Sequence, residues 1–134
     1  MAVQKRETFQ IRAEEDIVKV RQAVREWSVS TGFRLVDQTK VVTAASEIAR
    51  NVLEYGGGGT LLLESLFENP RRGLRLHFED KGPGIPDIEL ALKDGFTSGG
   101  GLGLGLGGAR RLVHEFAIES SMGMGTRVTL TQWK

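Results

Sequence analysis

Glu47 and Asn51 stand four residues apart in the segment Ser46-Glu47-Ile48-Ala49-Arg50-Asn51. On a helix that spacing puts both on one face, with Cβ atoms about 5–6 Å apart. A carboxylate beside a neutral amide suits two jobs. The amide oxygen is a hard ligand for Mg²⁺, an ion that keeps waters and phosphates in its shell. The carboxylate can take a proton from an attacking hydroxyl. A solvated helix face would carry the same pair, so the spacing alone decides nothing.

A second segment, Asp80-Lys81-Gly82-Pro83-Gly84-Ile85-Pro86, follows a strand-like run. Gly82 and Gly84 free the backbone to fold around a flat ligand, and an ionised Asp80 can only accept hydrogen bonds. An adenine exocyclic amine is a natural donor to it; a tight turn capped by its own Asp80 is the plainer alternative. The third segment runs from Asp94 to Leu112 and places seven glycines between Gly99 and Gly108, directly before a helical pattern. Backbone N–H groups at such a loop, with a helix N-terminus behind them, favour an anion such as phosphate. A flexible linker has the same composition. The loop is not a P-loop, since no Gly-Lys-Ser/Thr closes it. Nor is it a dinucleotide fingerprint: Gly103, Gly105 and Gly108 fit GxGxxG, but no strand leads in and no acidic residue follows about twenty positions on.

The elements that must position these segments read clearly from periodicity. Val3 to Ile11 alternates as a strand. Ile17, Val20, Val24 and Trp27 recur at helical spacing, so residues 14–31 form an amphipathic helix stopped by Gly32. A second helix begins near Asp37, a plausible N-cap, buries Val41, Ala44, Ala45, Ile48, Val52 and Leu53, and ends at Gly56–Gly59. Strands at Thr60–Phe67 and Leu74–Asp80 pair as a hairpin through the turn residues Asn69 to Gly73. A short helix from Pro86–Asp87 to about Lys93 precedes the glycine loop. A further helix runs from about Gly105 to His114 or Phe116. Strands Phe116–Ser120 and Thr126–Trp133 close the chain. This order predicts an α+β fold, a two-layer α/β sandwich with a mixed, mainly antiparallel sheet and helices on one face.

At 134 residues the chain fits one domain. Its net charge of +1 gives no electrostatic case for nucleic acid, and Arg71–Arg72 and Arg110–Arg111 are isolated pairs. No apolar run is long enough to span a membrane. The first ten residues are polar and charged, so no signal peptide is expected. The absence of cysteine excludes disulfides and thiolate metal sites and fits a cytoplasmic protein. His77 and His114 fall in a strand-like and a helix-like run and read as structural.

Taken in order, Glu47-xxx-Asn51, Asp80-x-Gly82-x-Gly84 and Gly99-Gly100-Gly101-Leu102-Gly103-Leu104-Gly105 resemble the GHKL family of ATP-binding domains. The likeness covers nearly the whole chain, including the closing Gly123-Met124-Gly125-Thr126 turn, and is greatest toward the bacterial anti-sigma-factor serine kinases. It implies the cofactors ATP and Mg²⁺, with Asn51 holding the metal and Glu47 acting as general base toward a serine or threonine hydroxyl. Asp80 would accept from the adenine amine, assisted by the Thr126 hydroxyl, and Gly82 and Gly84 would shape the adenine pocket. The run Gly99, Gly100, Gly101, Leu102, Gly103, Leu104 and Gly105 would form a lid and phosphate cradle. Such sparse equipment is enough for phosphoryl transfer, which needs mostly positioning and charge neutralisation.

Between Lys93 and Arg110 there is no basic residue, whereas several relatives place one in the lid. Neutralisation at the γ-phosphate would then fall to Mg²⁺, backbone dipoles, Arg50, Arg110 or a residue of a partner. The resemblance also implies a client, a STAS-domain phosphoacceptor in a stressosome-type complex, and a later downstream effector such as a PP2C-type phosphatase. The alternatives are a partner-switching module that binds ATP without turnover and an unrelated domain with a glycine-rich linker.

Overall fold

The structure, a computed structural model, describes residues 2–93 and 105–134. In chain order these form β1 (Ala2–Ile11), α1 (Glu14–Thr31), α2 (Leu35–Glu54), β2 (Gly59–Glu68), β3 (Arg71–Asp80), α3 (Ile88–Ala91), α4 (Leu106–Leu112), β4 (Glu115–Ser121) and β5 (Gly125–Trp133). The sheet order is β1-β2-β3-β5-β4, and every pairing among the described strands is antiparallel, which bears out the mainly antiparallel α+β sheet expected, with no parallel pair among them.

Side-chain alternation divides the sheet into two faces. On β3, Leu74, Leu76, Phe78 and Asp80 are buried, and they stand opposite Gln132, Leu130, Val128 and Thr126 of β5. Against this face pack Ile17, Val20 and Val24 of α1, Val41, Ala44, Ala45 and Ile48 of α2, and Leu106 and Ala109 of α4. The other face carries cross-strand ion pairs beside the buried Leu66 and Trp133. Glu64 meets His77 Nε2 at 2.7 Å and Arg6 at 3.8 Å, and Arg127 meets Glu79 at 2.9 Å.

Local chemistry sets the helix ends. Asp16, in the first turn of α1, accepts from the backbone N–H groups of Arg12 and Ala13. At the other end Gly32 takes the left-handed conformation, and the Phe33 N–H returns to Ser28 O at 3.0 Å. Helix α2 starts at Leu35, two residues before the N-cap suggested by Asp37. The Arg34 carbonyl already accepts from the N–H groups of Asp37 and Gln38, which leaves Asp37 inside the first turn, where a carboxylate suits the helix dipole. The hairpin turn also tightens. Glu68 pairs with Arg71 across Asn69-Pro70, whose peptide bond is cis, so the residues from Arg71 to Gly73 belong to β3 rather than to the turn. Among the described residues no helix is long and apolar enough to cross a membrane.

Candidate functional site

The expected site residues that the structure describes gather at one end of the sheet, under α2 and α4. A pocket there has apolar walls from Ile48, Val52, Phe78, Ile85, Leu106 and Val128, with Asn51, Tyr55, Asp80 and Thr126 as its polar members. Asp80 is the last residue of β3 and is buried. Its Oδ1 accepts from the Gly82 N–H at 2.9 Å, and the Thr126 backbone N–H also donates to the carboxylate. Burial pushes the Asp80 carboxyl up from its ordinary value, and the two N–H donors pull against that shift without cancelling it. No cation pairs with it among the described residues.

Close backbone approach fixes the loop after Asp80. A Cβ on Gly82 would lie 2.7 Å from the Gly56 Cα, and a Cβ on Gly56 would lie 2.6 Å from Asp80 Oδ2. The end of α2 and the Asp80 loop therefore fit together only because both positions lack a side chain. Gly84 lies against the Ser121 carbonyl, and its own carbonyl accepts from the Tyr55 hydroxyl at 2.9 Å. The Gly123 N–H donates to Pro83 O at 2.8 Å, which ties the same loop to the β4–β5 turn.

Glu47 and Asn51 lie one turn apart on α2, as their spacing requires. The Asn51 side chain lines the pocket, and no hydrogen bond to its amide or to the Glu47 carboxylate is found among the described residues. Glu47 lies against Gly105, the N-cap of α4, at φ 66°. A Cβ there would strike Oε2 and come within 3.1 Å of the carboxyl carbon. Gly99, Gly100, Gly101, Leu102, Gly103 and Leu104, the rest of the expected cradle, lie outside the described residues.

One of the groups left open for the γ-phosphate is turned away from it. Arg50 does not face the pocket: its guanidinium bonds Glu54 at 3.0 Å and Glu14 at 3.2 Å, clamping α2 to the start of α1. As position 50 lies between Glu47 and Asn51, the helical turn carries it to another face. The Thr126 hydroxyl meets Ser120 Oγ at 2.9 Å, and Thr126 lines the pocket beside Asp80, to whose carboxylate its backbone N–H donates. Tyr55 and Ser120 were not anticipated. Strand parity was the available signal for Ser120, since Phe116, Ile118 and Ser120 alternate onto the helix side of β4.

This donor set fits a purine nucleotide. Apolar walls suit the faces of a flat base, and Asp80 supplies an acceptor whose remaining capacity is turned to the pocket. No group of three His, Cys, Asp or Glu side chains is placed to hold a metal among the described residues. The Asn51 amide, without a partner among the described residues, is a hard oxygen donor of the kind that completes a Mg²⁺ shell built mainly from phosphates and water.

Comparison with known proteins agrees with this geometry. Residues 36–134 match the family described as histidine kinase-, DNA gyrase B- and HSP90-like ATPase. The chain is 44% identical over 123 residues to the serine/threonine-protein kinase RsbT of Bacillus subtilis, an alignment covering 92% of each chain. Among solved structures it is similar to the RsbU and RsbW domains of Rv1364c from Mycobacterium tuberculosis, with a TM-score of 0.64 and 22% identity over 98% of this chain and 33% of the other. It is also similar to a histidine kinase domain from the Erythrobacter litoralis blue-light activated kinase EL346, with a TM-score of 0.57 and 19% identity over 88% of this chain and 59% of that one. These two likenesses concern the fold. The chain belongs to the histidine kinase-, DNA gyrase B- and HSP90-like ATPase family, and within it to the RsbT-like protein serine/threonine kinases.

Proposed function

We propose that the chain, acting as one domain, transfers the γ-phosphoryl group of Mg·ATP to a serine or threonine hydroxyl of a STAS-domain partner in a stressosome-type partner-switching module. The kinase then leaves the phosphorylated scaffold and activates a downstream effector such as a PP2C-type phosphatase. The observation that carries this reading is the convergence of Asn51 and Asp80, distant in sequence, on one pocket, with Glu47 one turn before Asn51 lying against Gly105 at the start of α4.

In this reading Asp80 accepts from the adenine amine and the apolar walls exclude water from the base. Asn51 turns its amide oxygen to the metal. Bound Mg²⁺ supplies charge neutralisation at the phosphates, which matters because Arg50 is committed elsewhere. Glu47, carrying no ion pair among the described residues, takes the proton from the acceptor hydroxyl as that oxygen attacks phosphorus and ADP departs. Gly105 and the glycines before it hold the phosphates with backbone N–H groups.

The test is transfer itself. The purified chain is incubated with labelled ATP, Mg²⁺ and a STAS-domain protein, beside the Glu47→Gln variant. Label should enter a serine or threonine of the STAS protein with the native chain and not with the variant, while both bind ATP equally. Equal labelling by both would remove Glu47 from the reaction.

A further inference from the structure

Ser120 lies opposite Thr126, and Thr126 lies opposite Asp80, so β4, β5 and β3 place these side chains in one lateral row on the helix side of the sheet. The Ser120 hydroxyl has three neighbours. It accepts from the Ile85 N–H at 2.7 Å, lies 3.2 Å from the Gly125 carbonyl, and lies 2.9 Å from Thr126 Oγ1. Ile85 and Thr126 both line the pocket that Asp80 floors.

A hydroxyl has one proton, and that limit creates a choice. If Ser120 donates to the Gly125 carbonyl, Thr126 must donate to Ser120 and offers the pocket lone pairs only. If Ser120 donates to Thr126, the Thr126 proton is free for a ligand. Asp80, ionised, accepts only. The second arrangement therefore presents an acceptor and a donor side by side. Adenine's edge is complementary, with a donating amine next to an accepting ring nitrogen. Guanine presents the reverse, an accepting oxygen next to a donating ring N–H, and would leave Asp80 facing an oxygen.

We propose that Ser120 is a positioning residue for base recognition, holding the Ile85 wall and orienting the Thr126 hydroxyl so that the pocket prefers adenine over guanine. This rests on the nucleotide site proposed above. It adds a residue that acts through Ile85 and Thr126 rather than by touching the ligand.

The test uses the full chain and calorimetry with Mg·ATP and with Mg·GTP. Five proteins are compared: the native chain, Ser120→Ala, Ser120→Thr, Thr126→Val and the Ser120→Ala/Thr126→Val double variant. Ser120→Ala should weaken ATP about tenfold, the scale of one lost hydrogen bond beside a stranded N–H, and narrow the ATP-over-GTP preference. The loss should shrink when Thr126 is already valine, because part of the effect passes through its hydroxyl. Ser120→Thr, which keeps the hydroxyl, should stay within about twofold of the native chain. Should the alanine variant fold poorly, Ser120→Cys, of similar volume with a weak S–H donor, gives the same two readouts. An unchanged ATP-to-GTP ratio overturns the role of Ser120, as does an equal loss in both backgrounds. A native chain that binds no ATP overturns the nucleotide site itself, which is a separate result.

Discussion

Glu64 and Asp80 are each 7% exposed and project from opposite faces of the same sheet, yet the fold treats them differently. Glu64, on the open face, meets His77 at 2.7 Å and Arg6 at 3.8 Å, so its acceptor capacity is taken up by other side chains. Asp80, on the helix side, receives among the described residues only neutral backbone N–H groups and keeps the rest of its carboxylate turned to the pocket. The contrast extends to their surroundings. Charges on the open face are matched across strands, as in Arg127–Glu79, whereas no cation meets Glu47 or Asp80 among the described residues. A buried carboxylate left without a counter-charge is costly in the free protein and valuable when a donor arrives.

Substitutions on the two faces should separate accordingly. The largest effect is expected for Glu47→Gln, which should lower phosphoryl transfer by about 100-fold or more with ATP affinity unchanged, read by single-turnover labelling. Asp80→Asn should weaken ATP by about 10- to 100-fold in calorimetry, the scale of a hydrogen bond to a charged acceptor. Native affinity in that variant would erase the contrast with Glu64. Gly82→Ala forces a Cβ against the Gly56 backbone and should cost about 1–3 kcal/mol of stability in denaturant melts, with ATP affinity falling alongside. Smallest is Glu64→Gln, which should cost no more than about 1 kcal/mol and leave ATP affinity within about twofold. A large loss of ATP there would show that the two faces are not independent.

pH sharpens the same comparison. The carboxyl of Asp80 is raised from an ordinary value of 3.8, with burial the main cause. Its contribution to the stability of the nucleotide-free fold is therefore full below the unfolded-state value and is lost as pH rises through the folded one. The Tm difference between the native chain and Asp80→Asn should accordingly move against the native chain as pH rises across that window. ATP binding should show the opposite dependence, since the ionised carboxylate accepts the amine more strongly than the protonated acid does. Affinity should fall on acidification at a higher pH than an unperturbed carboxylate would impose.

The elements were legible in the sequence where one short period decided them. The stripe Ile17, Val20, Val24 and Trp27 defines α1 from Glu14 to Thr31, and runs of strand-forming residues between turn signals define β2 and β5 to within a residue at each end. Arg71 to Gly73 misled because their composition is that of a turn. Gly73 is glycine for a reason 60 positions away: a Cβ there would come within 2.7 Å of the Trp133 ring, so it marks a crossing of side chain over backbone inside the sheet. Asp80, Glu47 and Asn51 were legible as motifs because helical and strand spacing fix their faces. The partners of Arg50, Thr126 and Tyr55 were not, since each depends on a side chain or carbonyl that only the assembled fold brings near. Such pairings leave no periodic trace.

Among the described strands, β4 has β5 on one side and no neighbour on the other. Ser120 therefore supports the base pocket from the margin of the sheet, on a ladder held from one direction. Whenever this strip frays, the Ile85 amide loses its shelter and the Thr126 hydroxyl loses its tether in the same event. Amide exchange at Ile85 should thus keep time with the loosening of β4, and a seated nucleotide should slow both clocks together.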